Sequence, residues 1–344
     1  AAGARGAACP TTAASERRRR GSGMHIPDGF LDAKTVVATT LLSTGGLALA
    51  LQRVQRSLPR QRVPLLGLAA AFVFVAQMIN FPVASGTSGH LIGASLCAVL
   101  LGPSAAVVVM ASVLMVQCFL CADGGVLALG ANVFNMAIVS VLCGHLVHRL
   151  LRCGFRGTRG LLLSAGFAAW CATVLAALLL SGELAWSGTV PWQLALPAMV
   201  GVHMLIGAGE AAITMLTLAA LARTRPELLL AAARAAPPSP RRYGKLAGCG
   251  VLVVLGLALL AAPHASSLPD GLHHVARALG FDHRSAAAPV PAPLRDYQLQ
   301  GMPSSPWATA WAAVIGMVAA FVFAYALARL LLQRSDLSAP SSPL

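Results

Sequence analysis

From residue 34 to residue 332 the chain repeats one pattern, in which apolar runs of membrane-spanning length alternate with short polar breaks. A helix needs about 20 mostly apolar residues to cross a bilayer. On that basis the pattern predicts spans near 34–52, 64–80, 88–101, 104–121, 126–148, 161–181, 193–222, 246–263 and 307–332. The expected fold is an all-α polytopic membrane protein, with about seven transmembrane helices in the first part and two in the last. The run at 88–101 is short for a span, and Gly86 and Gly89 ahead of it predict non-helical backbone. Such backbone is tolerated at membrane depth only where protein or a cavity buries it. His90 sits there.

Composition agrees with the pattern. At 57% hydrophobic and 10% charged over 344 residues, with a mean hydropathy of +0.74, the chain is too apolar for a soluble globule. The net charge of +14 would suit a nucleic-acid binder, but there are only three Tyr and no basic–aromatic motif. Charge position gives the better explanation. Most of the Lys and Arg residues fall after alternate spans, at 53–62, 149–159, 223–245 and 329–334. By the positive-inside rule that side is cytoplasmic, and its arginines also suit anionic lipid headgroups. The opposite side carries Asp28, Asp32, Asp123, Glu183, Asp270, Asp282 and Asp296. Residue 24 therefore faces outward.

Ahead of the first span stands Met24-His25-Ile26-Pro27-Asp28-Gly29. If Met24 is the mature N-terminus, its α-amine, the His25 backbone nitrogen and an imidazole nitrogen form fused chelate rings in one plane. Planar nitrogen sites suit Ni(II) or Cu(II) best, and binding would release protons. The plainer alternative is a helix lead-in, with Pro27 and Asp28 as turn and cap. Residues 1–23, rich in Ala, Gly and Ser and carrying Arg17–Arg20, lack the roughly 7–15-residue apolar region of a secretory signal. They are expected to be a disordered extension or a misassigned start. If they persisted, the Met24 nitrogen would be an amide and the chelate would be lost.

Within the spans few residues are polar, and ionisable groups at membrane depth are functional candidates by default. His203 and Glu210 lie seven apart on one face of a helix, so they pair with each other or Glu210 meets a partner subunit. Asn132 and Asn135 also share a face and are expected to fix the N-terminal segment by interhelical hydrogen bonds, with Gln77 and Asn80 in similar roles. Most of the eight cysteines lie in apolar runs and read as small hydrophobes. Cys118 and Cys121 form a single CxxC, weak grounds for a soft-metal site.

Two stretches add to this picture, Asn80-Phe81-Pro82-Val83-Ala84-Ser85-Gly86-Thr87-Ser88-Gly89-His90-Leu91-Ile92-Gly93 and Gly130-Ala131-Asn132-Val133-Phe134-Asn135-Met136. Together with Met24-His25 they resemble the substrate-specific membrane component of the energy-coupling-factor cobalt/nickel transporters, the CbiM/NikM family, from Met24 to about Arg225. The resemblance implies Co(II) or Ni(II) as transported substrate, held by the N-terminal amine, both nitrogens of the second residue and a His in the GTSGH segment. On this chain those ligands are Met24, His25 and His90. It does not make His203 or Glu210 a ligand. It also implies partners: a transmembrane coupling protein and cytoplasmic ATPase subunits in a bacterial or archaeal cell membrane.

After a basic cytoplasmic linker at 226–245 the chain changes character. Residues 246–335 hold two spans around an external loop, and 336–344 form a polar tail. Ser267-Leu268-Pro269-Asp270-Gly271-Leu272 and Pro293-Leu294-Arg295-Asp296-Tyr297 resemble the PDGLE-type accessory subunit of the same transporters, with His273 where that family has Glu. His264, His273, His274 and His283 in the loop are expected to be solvated, or alternatively to gather metal near the mouth. No P-loop motif occurs and the only lysines are Lys34 and Lys245, so ATP hydrolysis is expected on partner chains and this chain is not expected to be an enzyme. An uptake component for an organic cofactor such as a vitamin is the alternative, though only 6% of residues are aromatic. A metallo-hydrolase would need a motif such as H-E-x-x-H, which is absent.

Overall fold

The computed structural model describes residues 25–226, 228–229, 240–286, 289, 291–303 and 305–337, so Met24 and residues 1–23 lie outside the described residues. The helices are α1 (Ala33–Ser57), α2 (Val63–Met78), α3 (Ala94–Leu101), α4 (Pro103–Val116), α5 (Leu129–Gly154), α6 (Gly157–Trp186), α7 (Trp192–Thr224), α8 (Pro240–Gly256), α9 (Gly271–Ala278) and α10 (Pro306–Leu337). A π-turn, Gln117–Cys121, extends α4, and irregular turns carry α8 on to His264. Among the described residues seven helices are long and apolar enough to cross a membrane, namely α1, α2, α4, α5, α6, α7 and α10. The chain is a multi-pass integral membrane protein of the all-α class expected.

The run at 88–101 is resolved into two pieces. Its helix, α3, has eight residues, or about 12 Å of rise, less than half of a bilayer core of about 30 Å. The rest is the non-helical backbone that the glycines predicted. Here β1 (Phe81–Pro82) and β2 (Ser88–Gly89) form a small antiparallel ribbon with Phe81 opposite Gly89, closed by Val83 N–H donating to the Thr87 carbonyl at 2.8 Å. Chain from the C-terminal part lies against the ribbon. Ser266 N–H donates to the Asn80 carbonyl and Ser88 N–H to the Pro269 carbonyl, each at 2.8 Å. The Ser88 hydroxyl donates to the Leu268 carbonyl, also at 2.8 Å. These bonds satisfy main-chain groups that hydrocarbon would leave unpaired.

Helix α4 is at the centre. Its residues from Ala105 to Ser112 are all buried, as expected of a helix that is apolar all round. Helices α1, α2, α3, α5 and α10 surround it, and α6 and α7 pair along the far side of α5. The C-terminal helix α10 docks on α2 through reciprocal glycine notches. A side chain at Gly316 would overlap the Phe74 ring, and one at Gly67 would press on Phe321. Small residues at such contacts let helix backbones approach closely. The external segment expected as a loop contains α9, because Asp270 caps it by accepting from His273 N–H at 2.8 Å.

Candidate metal centre

The N-terminal segment enters the protein because its backbone is bonded from three sides. The Asp28 carboxylate accepts from Val126, Leu127 and Ala128 N–H at 3.1, 2.9 and 3.0 Å, where the partial positive charge at the start of α5 favours an anion. Ile26 and Asn132 exchange two bonds, Ile26 N–H to Oδ1 at 2.9 Å and Nδ2 to the Ile26 carbonyl at 3.1 Å. From the C-terminal part, Ala286 N–H donates to the Asp28 carbonyl at 2.8 Å. Gly29 turns the chain at φ +93°, with no room for a side chain against the Arg284 carbonyl. The consequence is a His25 that is only 2% exposed.

Asp123, in the turn between α4 and α5, meets His25 twice. The His25 N–H donates to Oδ1 at 3.2 Å, and Nδ1 lies 2.8 Å from Oδ2, although off the line of a hydrogen bond, so both ring nitrogens lack a hydrogen-bond partner. Tyr297 Oη donates to the same Oδ2. The His90 ring faces His25 at a centroid distance of 6.0 Å. His25 and His90 share a cavity of about 80 Å³ with His203, Asp270, Asn132, Asn135 and apolar side chains of α6 and α7.

The His90 stretch is pinned from within the bundle by Glu210 on α7. Its carboxylate accepts from Ile92 N–H at 2.6 Å and Gly93 N–H at 2.9 Å, while Gln77 Nε2 donates to the Ile92 carbonyl at 2.8 Å. His203 and Glu210 therefore do not pair. His203 Nδ1 is 2.7 Å from the Met199 carbonyl in its own helix, which leaves Nε2 toward the cavity side, where Gly271 closes on the ring. Asn135 Nδ2 donates to the buried Glu183 carboxylate at 2.9 Å. Asn80 does not line the cavity, and its buried Oδ1 has no hydrogen-bond partner.

In the external segment His273 is buried against Asp270 rather than solvated, with Nδ1 3.0 Å from Oδ1. Burial alone would push the Asp270 carboxyl up, but the His273 charge and its two hydrogen bonds hold it below the ordinary range. Burial would likewise push His273 down, and the Asp270 carboxylate outweighs it and holds the imidazole up. His264 and His283 are exposed and bond carbonyls of their own turns. Among the described residues no three His, Cys, Asp or Glu side chains converge closely enough to hold an ion. Cys118 and Cys121 are free, buried thiols.

Of the residues singled out in the sequence, the fold brings His25, His90, His203, Asn132 and Asn135 to one cavity. Asp270 also lines it, while Asp123 contacts His25, Glu183 accepts from Asn135 and Tyr297 donates to Asp123. The sequence pattern places the three acids among outward-facing polar residues and Tyr297 in the accessory-domain motif. The one signal for Asp123 was its position in Asp123-Gly124-Gly125, a turn directly before a span and within ten residues of Asn132.

The family described as "Cobalt uptake substrate-specific transmembrane region" matches residues 25–228, and the PDGLE domain matches residues 244–333. A putative fused nickel transport protein NikMN of Archaeoglobus fulgidus is 35% identical over 311 residues, covering 89% of this chain and 98% of that one. The fused nickel transport protein NikMN of Rhodobacter capsulatus is 38% identical over 256 residues, covering 70% of this chain and 73% of that one. A crystal structure of a truncated transition metal transporter aligns with a TM-score of 0.53 at 33% identity, covering 58% of this chain and 99% of that one.

Proposed function

The chain belongs to the cobalt uptake substrate-specific transmembrane family and carries a fused C-terminal PDGLE domain, and from that premise we propose that it is the metal-capturing, selectivity-determining subunit of an ATP-driven importer of cobalt or nickel. The ion arrives on the outer face and is held by nitrogen ligands: the Met24 amine, the backbone and ring nitrogens of His25, and His90. Partner chains, a transmembrane coupling protein and cytoplasmic ATPases, supply the energy.

The observation that carries this reading is His25, buried to 2% and facing His90 across a small cavity, with Nε2 unpartnered and Nδ1 met only by Asp123 off hydrogen-bond geometry. A buried imidazole left so is costly unless a ligand completes it. Two imidazoles alone do not make a site, which is why the reading needs main-chain nitrogens as well. A set of nitrogens in a plane favours Ni(II), and Co(II) less strongly. The cavity at His25 and His90 is itself too small for a vitamin. About 80 Å³ accommodates an ion with one or two waters, since a water takes about 30 Å³, whereas drug-sized ligands occupy roughly 300–1,000 Å³.

The test is the intact mass and N-terminal sequence of the purified protein together with its bound metal. A chain starting at Met24 and carrying one nickel or cobalt, lost in His25→Ala and His90→Ala, supports the amine-anchored site. A chain that keeps residues ahead of Met24 and still binds the ion refutes it. Because the ligands lose protons on binding, affinity rises with pH through the neutral range.

A further inference from the structure

Asp123 occupies the place an ion would take. Its two carboxylate oxygens meet the two His25 nitrogens proposed as donors, Oδ1 against the amide N–H at 3.2 Å and Oδ2 against Nδ1 at 2.8 Å. A late first-row metal bonds nitrogen at about 2.0–2.1 Å. An ion held by both nitrogens would lie along the direction in which the amide N–H now points, inside contact distance of both oxygens where they stand. The carboxylate as it stands overlaps the position of the chelated ion, so it must shift when the ion enters.

Tyr297 holds the carboxylate there. Its hydroxyl donates to Oδ2, its ring packs edge-on against Phe74 at 6.1 Å, and Leu294 N–H donates to the Leu120 carbonyl at 2.8 Å just ahead of it. The backbone marks the same two places independently. Among the described residues the non-glycine positions with positive φ are Ala122 (+53°), Asp296 (+55°) and Tyr297 (+55°). One adjoins Asp123 and the others carry and precede the hydroxyl. Backbone of this kind persists only where the surroundings over-determine it, and it gathers at functional sites.

We propose that Asp123, held by Tyr297 of the C-terminal domain, closes the empty metal centre and is displaced when the ion enters, so that the C-terminal domain opposes loading through one hydroxyl group. This rests on the chelate reading above. It makes a prediction in the direction opposite to ordinary damage. The Tyr297 hydrogen bond stabilises only the empty form, so removing it favours the loaded one.

The experiment uses the full-length protein in detergent, with its N-terminus verified, titrated with NiCl₂ by calorimetry and followed by stopped-flow. Tyr297→Phe keeps the ring on Phe74 and is expected to bind nickel about ten- to a hundredfold more tightly, the worth of one hydrogen bond to a charged group, and to load faster. Asp123→Asn is expected to do the same, and the double variant to gain no more than Asp123→Asn alone, because both changes act on one contact. Unchanged or weaker binding in Tyr297→Phe and Asp123→Asn overturns the proposal, and weaker binding in both identifies Asp123 as a ligand instead. His25→Ala separates the two readings. Undiminished binding there defeats the chelate itself, whereas loss there with wild-type behaviour in Tyr297→Phe defeats only the displacement.

Discussion

Glu210→Gln is the substitution whose effect the geometry fixes most tightly. Glu210 is 2% exposed, and its two oxygens accept from Ile92 and Gly93 N–H at 2.6 and 2.9 Å. Glutamine retains one acceptor of similar shape and turns an NH₂ toward the second donor. One charge-assisted bond is lost and one buried N–H is left unpaired, together about 2–4 kcal/mol. At about 2 °C per kcal/mol for a large domain, the apparent melting temperature falls by roughly 4–8 °C. Because Ile92 is two residues from His90, nickel affinity also falls, by about 10–100-fold as for other groups that orient ligands. The assay is thermal unfolding and nickel titration of the purified protein, with His203→Ala alongside. If Glu210 served to pair with His203, His203→Ala would reproduce the whole loss and the double variant would add nothing. A Glu210→Gln protein that melts and binds like wild type would refute the pinning of the His90 stretch.

Three further outcomes follow from the same structure. Asp28→Ala removes the acceptor of three N–H groups at the start of α5 and is expected to cost about 1–2 kcal/mol, read as faster proteolysis between residues 26 and 32 and weaker metal retention. Gly316→Leu drives a side chain into Phe74 and is expected to destabilise the docking of α10 on α2 by about 1–3 kcal/mol, read as faster hydrogen exchange in α10 while α6 and α7 are unaffected. For the Asp270–His273 pair the raised imidazole stabilises fully below its unfolded value near about 6.5, and that part is lost as pH rises through its raised folded value. The lowered carboxyl stabilises above its unfolded value near about 3.9, and that part is lost as pH falls through its folded value. Protection of α9 against hydrogen exchange should therefore peak between the two. In His273→Glu, which sets two carboxylates side by side, protection should instead rise toward acid, and an unchanged profile would refute the pairing.

Most of the bundle was legible because hydropathy and arginine placement act on single residues and need no knowledge of contacts. The non-helical start of the 88–101 run was also legible, since Gly86 and Gly89 mark backbone that a helix would not favour. What was not legible depended on partners far away in sequence. Glu210 and His203 share a helix face, but seven residues separate them by about 10 Å along the axis, and the free N–H groups of Ile92 and Gly93 are closer. His273 looked like a loop histidine because nothing local announced that Asp270 would cap a helix and take the imidazole as a neighbour. Asp123 and Tyr297 are 174 residues apart, each in a short polar break of the kind that ordinarily faces water.

The extended contact between residues 266–270 and the Ser88 ribbon is made by main-chain groups and hydroxyls. It is a form of strand addition, in which backbone bonds give the attachment and no covalent link is required. The PDGLE part could therefore dock identically as a separate polypeptide. Joining the two in one chain would then act through effective concentration, fixing a one-to-one ratio and keeping the Tyr297 hydroxyl beside its target however dilute the membrane becomes in this protein.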